Sequence, residues 1–146
     1  MAKRAATHET GFLLQRAHRR LRIAHNEALR PFDLTITHIA VLGLLAERGD
    51  LSQRQLIEIM DADKSTMVYL IDQLEKLDLA ERRPDPADRR AHSVHLTEAG
   101  RKRLIEVGGL VKRVEDDFLT PLSGRERAQL GDMLRRIADH VRPHKP

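Results

Sequence analysis

The sequence predicts a mainly α-helical fold with a small β wing, a winged helix-turn-helix carried between N- and C-terminal dimerisation helices. Three observations lead there: apolar residues at helical spacing along most of the chain, two short capped helices about three residues apart, and two strand-like segments directly after them around a turn rich in proline and aspartate. A length of 146 residues suits one compact unit with a sizeable core.

The first helix spans residues 10–29, where Leu14, Ala17, Leu21, Ala24 and Ala28 fall on one side, and Pro31 closes it by steering the preceding residue out of the helical region. A second helix over 35–47 carries Ile36, Ile39, Ala40, Leu42 and Leu44, and Gly49-Asp50 stops it. Gly43 inside it marks either a close approach or a tolerated loss of helix propensity. Ser52 with Gln55 is a capping-box pattern opening a short helix over 53–59. Asp63 then caps a further helix that runs to about residue 77. The expected interior of this pair is Leu56, Ile59, Val68, Ile71, Leu74 and Leu77.

Residues 79–83 and 91–96 read as edge strands, with Val94 and Leu96 at period two and Pro84, Asp85, Pro86, Ala87 and Asp88 in the turn between them. Thr97 caps a long helix whose stripe is Leu104, Val107, Val111, Val114 and Phe118. After a break at 120–123, Ser123 and Glu126 form another capping box ahead of Leu130, Met133, Leu134 and Ile137, and the tail 142–146 is expected to be disordered. The long end helices can meet and still leave an apolar face exposed. A two-fold partner covers it most simply, an intramolecular bundle being the alternative.

Composition excludes several classes. There is no cysteine, hence no disulfide, thiolate metal site or thiol redox switch. The first nine residues lack the apolar core of a signal peptide and no stretch approaches a membrane span, so a soluble cytoplasmic protein without a membrane partner is expected. No phosphate loop, nucleotide fingerprint, metalloprotease motif or nucleophile elbow occurs, so no enzymatic activity is expected. The net charge of +4 is mild, although 33% of residues are charged, so a nucleic-acid reading rests on where the arginines stand.

Lys64, Ser65, Thr66, Tyr69 and Gln73 occupy polar positions in the first turns of the fourth helix, where they can reach phosphates or base edges, or simply be solvated. Arg82, Arg83, Arg89 and Arg90 flank the wing tip, where arginine can enter a narrow minor groove, and Asp88 among them would orient an arginine rather than meet a phosphate. His18, Arg22 and His25 border the apolar stripe of the first helix and His38 opens the second. These four could hydrogen-bond an acidic or phenolic effector, or complete a helix interface. Eight dispersed histidines without a close ligand pair define no metal site.

The order of elements and three stretches resemble the MarR family of bacterial transcriptional regulators. Residues 85–100, DPADRRAHSVHLTEAG, are similar to the family's wing and wing-to-helix signature. Residues 63–68 and 74–82 are similar to its recognition helix and exit, and residues 34–42 to its second helix, where glutamine is commoner than His38. The resemblance covers about residues 10–140 and implies a single domain over 1–146, with dimerisation helices at 10–30 and 101–141 and a winged helix-turn-helix lobe at 35–100. It further implies a homodimer on a pseudo-palindromic double-stranded DNA operator, acting as a repressor that a small aromatic, phenolic or acidic effector releases, with no cofactor. Arg89 and Arg90 match the family's minor-groove position, Asp88 its buttress, and Lys64, Ser65, Thr66 and Tyr69 its DNA-facing side, although Tyr69 departs from the small or basic residues expected there. Two rivals share this fold: a metal-dependent repressor using His18, His25, His38 and nearby carboxylates, and a protein-interaction module that ignores DNA.

Overall fold

The computed structural model describes residues 2–140, and the side chains of residues 9–88 and 90–140. In chain order it contains α1 (Ala2–Leu29), a short 3-10 turn (Arg30–Phe32), α2 (Ile36–Arg48), β1 (Leu51–Ser52), α3 (Gln53–Met60), α4 (Lys64–Lys76), β2 (Ala80–Asp85), β3 (Asp88–Leu96), α5 (Glu98–Phe118) and α6 (Gly124–His140). The expected architecture is therefore present, a mainly helical chain with a small antiparallel sheet in the order β1-β3-β2. The tail beyond residue 140 lies outside the described residues.

The helix starts follow the caps written in the sequence. Ser52 Oγ accepts from the Gln55 N–H at 3.1 Å while Gln55 Oε1 accepts from the Ser52 N–H at 2.8 Å, a complete capping box. Ser123 and Glu126 exchange the same pair of bonds, and Thr97 Oγ1 caps α5 by accepting from the Gly100 N–H at 3.0 Å. Three corners turn on aspartates in the left-handed region, Asp33, Asp61 and Asp78, with φ of 56°, 50° and 57°. Aspartate tolerates that region better than most residues because its short polar side chain can bond locally.

One hydrophobic core unites α2, α3, α4 and the sheet, and the flanking helices reach it only at their roots. Of the buried apolar residues α1 supplies Leu29 and α5 supplies Val107, whereas no residue of α6 is buried. The interior of the helix pair differs in part from expectation. Leu56, Ile71 and Leu74 are buried, but Met67 and Leu70 take the remaining inward places, Val68 and Leu77 are half-buried, and Ile59 is exposed. The stripe 67, 70, 71, 74 is the one helical geometry requires once Ile71 and Leu74 face inward. Gly43 has no atom within 4 Å of where a Cβ would stand, so no close approach within the chain explains it.

The wing is longer than its apolar pattern suggested. Pro84 pairs with His92 and Asp85 with Asp88, leaving only Pro86 and Ala87 at the tip, with a register shift between Pro84 and Asp85. A proline is tolerated there because β2 is an edge strand, on which a missing N–H removes no bond needed by a second neighbour. Strand β1, unforeseen from sequence, is two residues pairing Leu51 with Val94 and Ser52 with Ser93.

Candidate nucleic-acid interface

Helix α4 packs on the core through Met67, Leu70, Ile71 and Leu74, which leaves Lys64, Ser65, Thr66 and Tyr69 exposed on its outer face. Asp63 organises the first turn: its carboxylate accepts from the Ser65 hydroxyl at 2.7 Å, the Thr66 N–H at 2.8 Å and the Thr66 hydroxyl at 2.8 Å. These donors, the Ser65 hydroxyl foremost, hold the Asp63 carboxyl down to about 2, so it is ionised throughout the physiological range. Both hydroxyl protons are thereby turned toward Asp63, and Ser65 and Thr66 present lone pairs outward.

Gln73, read from sequence as an outward contact, is half-buried and engaged at both ends of its amide. Oε1 lies 2.7 Å from His38 Nε2, and Nε2 donates to the Tyr69 hydroxyl at 2.8 Å. Tyr69 is 61% exposed and carries this chain of bonds to the surface. His38 is buried, and its Nδ1 accepts from the Thr35 N–H at 3.0 Å, which makes it the reciprocal member of the α2 capping box. Glutamine performs that role through its amide oxygen, so histidine can stand in the same place. With both ring nitrogens occupied, His38 offers no free group to an effector, and burial lowers its pKa.

The wing arginines divide into two kinds. Arg82 is turned onto α4: Nη1 lies 2.7 Å from Asp72 Oδ1 and 2.7 Å from Glu75 Oε2, and its backbone N–H donates to Glu75 Oε1 at 2.7 Å. Its guanidinium is thus a tie between wing and helix rather than a free cation at the tip, contrary to the reading from its position beside Arg83. Neither Asp72 nor Glu75 stood out in the sequence, although a carboxylate seven residues ahead of an arginine across a helix-to-strand corner is a signal that could have been followed. Arg83 points the other way, half-exposed and paired with Glu81 at 2.6 Å. Arg90 is exposed with no ion pair among the described residues, and it borders a cleft of about 420 Å³ with Arg54 and Arg82 beside the start of α3. The backbone of Arg89 lies in β3, and its side chain is outside the described residues. Asp88 supports the turn through the backbone, Oδ1 accepting from the Arg90 N–H at 2.9 Å, and Asp85 does likewise for the Ala87 N–H.

The residues singled out on α1 do not act alike. His18 and Arg22 are exposed, whereas His25 is buried with no hydrogen-bond partner for Nε2 among the described residues. Among the described residues no three His, Asp or Glu side chains converge as metal ligands, so the histidines of the metal-dependent rival are not gathered into a site. No single helix among the described residues is long and apolar enough to cross a membrane.

Comparison with known proteins agrees with this geometry. Residues 32–91 match a MarR family model. A regulatory protein of Thauera aromatica named for the hcr operon is 35% identical over 137 residues, 88% of this chain and 78% of that protein. The transcriptional repressor NicR of Pseudomonas putida is 30% identical over 134 residues, 91% of this chain and 84% of its own length. The solved structure of BpsR from Bordetella bronchiseptica, described in terms of regulation of its DNA binding by 6-hydroxynicotinic acid, superposes with a TM-score of 0.82 at 27% identity, covering 90% of this chain and 94% of that one. The chain belongs to the MarR family of transcriptional regulators.

Proposed function

We propose that this regulator is a sequence-specific DNA-binding homodimer, a ligand-responsive repressor whose α4 helices enter successive major grooves of a pseudo-palindromic operator while the wings reach the flanking minor grooves. The observation that carries this reading is the exposed outer turn of α4, with Lys64, Ser65, Thr66 and Tyr69, tied through Arg82 to a wing whose Arg90 is exposed with no ion pair among the described residues. Arg83 and, by its match to the family's wing signature, Arg89 are proposed as further DNA contacts, Asp88 shapes the turn, and Arg82 and Gln73 act by positioning.

The dimer is supported by what the single chain leaves uncovered. Phe12, Leu13 and Leu14 on α1 and Met133, Leu134 and Ile137 on α6 are all at least 41% exposed. Large apolar side chains left exposed on both end helices of a small chain favour a partner, and a second copy supplies it symmetrically. Residues 10–30 and 101–141 are the proposed dimerisation helices and 35–100 the DNA-binding lobe.

We assign an effector of aromatic, phenolic or acidic character to the α1 side of the lobe, where buried His25 has no hydrogen-bond partner for Nε2 among the described residues and His18 and Arg22 are exposed on the same helix. BpsR's regulation by 6-hydroxynicotinic acid makes a small hydroxylated aromatic acid the first candidate. To lower operator affinity 100-fold such a ligand needs about 2.7 kcal/mol of preference for the non-binding arrangement of the lobes.

The decisive experiment titrates the DNA upstream of the protein's own gene with wild type and Arg90→Ala across a range of salt. The variant should remain dimeric, bind much more weakly and lose roughly 0.9 of salt slope for each phosphate charge contact removed. Unchanged affinity and slope would eliminate the wing from the interface. Equal weak binding to scrambled DNA by the wild type would favour a protein-interaction module instead.

A further inference from the structure

The hydrogen bonds from Thr35 to Tyr69 run in one fixed direction. A backbone N–H can only donate, so His38 Nδ1, 3.0 Å from the Thr35 N–H, must be the unprotonated nitrogen. Thr35 Oγ1, 2.9 Å from the same nitrogen, is therefore also on the donating side. The proton of the neutral ring then sits on Nε2 and is donated to Gln73 Oε1 at 2.7 Å. That fixes the amide, whose Nε2 donates to the Tyr69 oxygen at 2.8 Å. With an incoming donor already on that oxygen, the phenol proton turns away from Gln73, to the outer face of α4. Burial of His38, which disfavours its charged form, keeps the ring in the single tautomer the chain needs.

We propose that Tyr69 is a specificity-determining residue that acts as a hydrogen-bond donor, reading an acceptor on a base edge in the major groove, and that Thr35, His38 and Gln73 are positioning residues that set this polarity. The inference rests on the reading of α4 as the helix that enters the groove. Thymine O4, guanine O6 and N7, and adenine N7 are the acceptors available there, whereas the amino groups of cytosine and adenine are donors. A phosphate oxygen offers the same chemistry without sequence information. Ser65 and Thr66, whose protons are held by Asp63, face outward with the opposite polarity, so neighbouring positions on one helix ask for different base edges.

The test uses the full-length protein and sequences selected from random DNA by wild type, Tyr69→Phe, Gln73→Glu and the double variant. Tyr69→Phe keeps the ring and removes the proton. It should lower affinity for the selected operator roughly five-fold, the scale of one neutral hydrogen bond, and relax preference at one base pair in each half-site. Gln73→Glu replaces the donating amide by an acceptor, which draws the phenol proton inward. It should shift preference at that same pair toward a base presenting a donor, and the shift should vanish in the double variant. The added charge alone would weaken binding to every sequence equally in both backgrounds. Uniform weakening by Tyr69→Phe with base preference intact would assign the phenol to a phosphate and overturn the proposal, as would unchanged affinity. Arg90→Ala, measured beside these, separates the two levels. If it too leaves binding unaltered the DNA interface itself is misplaced, and if only the tyrosine variants are silent the fault lies with the polarity inference.

Discussion

Gly100 is the position where a single methyl group should be felt most. It is the third residue of α5, and a Cβ placed on it would overlap the Leu79 carbonyl oxygen outright and stand 2.7 Å from Leu96 Cδ1 and 3.0 Å from the Leu79 carbonyl carbon. Backbone on one side and a core leucine on the other leave nothing flexible to give way. The same carbonyl accepts the Thr97 N–H at 3.2 Å, and the Thr97 hydroxyl donates to the Asp78 carbonyl at 2.6 Å, so α5 cannot back off without loosening the corner that starts the wing. Overpacking of this kind costs about 1–3 kcal/mol, a weakened corner hydrogen bond adds about 1, and the gain in helix propensity from glycine to alanine returns about 1. Gly100→Ala is therefore expected to destabilise by about 2 kcal/mol, a fall of about 6 °C in Tm for a chain of this size. Thermal melts followed by far-ultraviolet circular dichroism at one fixed protein concentration read this directly, since oligomerisation makes Tm depend on concentration. Gly43→Ala, in α2 outside the proposed dimerisation helices and with nothing within 4 Å of the added Cβ, is the control and should gain up to about 1 kcal/mol. A Gly100→Ala protein melting within ~2 °C of wild type, against the several degrees expected per kcal/mol, would refute the close packing of α5 on the wing corner.

Arg82→Ala should cost about 1–2 kcal/mol, because it leaves Asp72 and Glu75 facing each other without their shared cation at a half-exposed site, and it should weaken operator binding with the salt slope intact, unlike Arg90→Ala. Retention of both stability and affinity would show that the wing stands without its tie. His38 titrates below its ordinary 6.5 in the folded chain, so the unfolded chain takes up a proton that the folded one refuses. Stability contributed by the neutral ring is complete above pH 6.5 and lost as pH falls through the lowered value. Denaturant midpoints for wild type should decline over that acid interval and those of His38→Gln, which can keep the capping box, should decline less; parallel profiles would refute the assignment. Ile137→Glu places a charge in the apolar face of α6, where Ile137 is 52% exposed in the single chain, and should convert the proposed dimer to monomer by light scattering while helix content persists. A dimer of unchanged mass would move the interface elsewhere.

Much of this architecture is written in local signals. Ser52 with Gln55, Ser123 with Glu126, Asp63 and Thr97 each cap the helix they were expected to cap, because a cap needs only residues within one turn. Periodicity found the helices but not every inward residue, and the choice between Val68 and Met67 or Leu70 depends on which way a neighbouring element approaches. What the sequence concealed is what joins elements across distance. His38 and Gln73 are 35 residues apart, Asp50 and His95 45 apart, and two residues of β1 become a strand only because β3 offers them an edge. Arg82 and Arg83 look equivalent as letters, yet alternation along β2 sends one onto α4 and leaves the other to solvent. The arginine-rich signature was therefore legible as a wing and not as a division of labour within it.

The tie from Arg82 to Asp72 and Glu75 has a bearing on how control could be exerted. A hairpin welded to its neighbouring helix travels with it, so under the proposed function each half of an operator would be met by one stiff reading head rather than by two fingers that adjust separately. A signal arriving at the root of such a head can swing it nearer to or farther from its twin, but cannot change which letters it prefers. If the proposed ligand response holds, an inducer should accordingly alter the tolerated gap between half-sites while leaving the half-site consensus as it was.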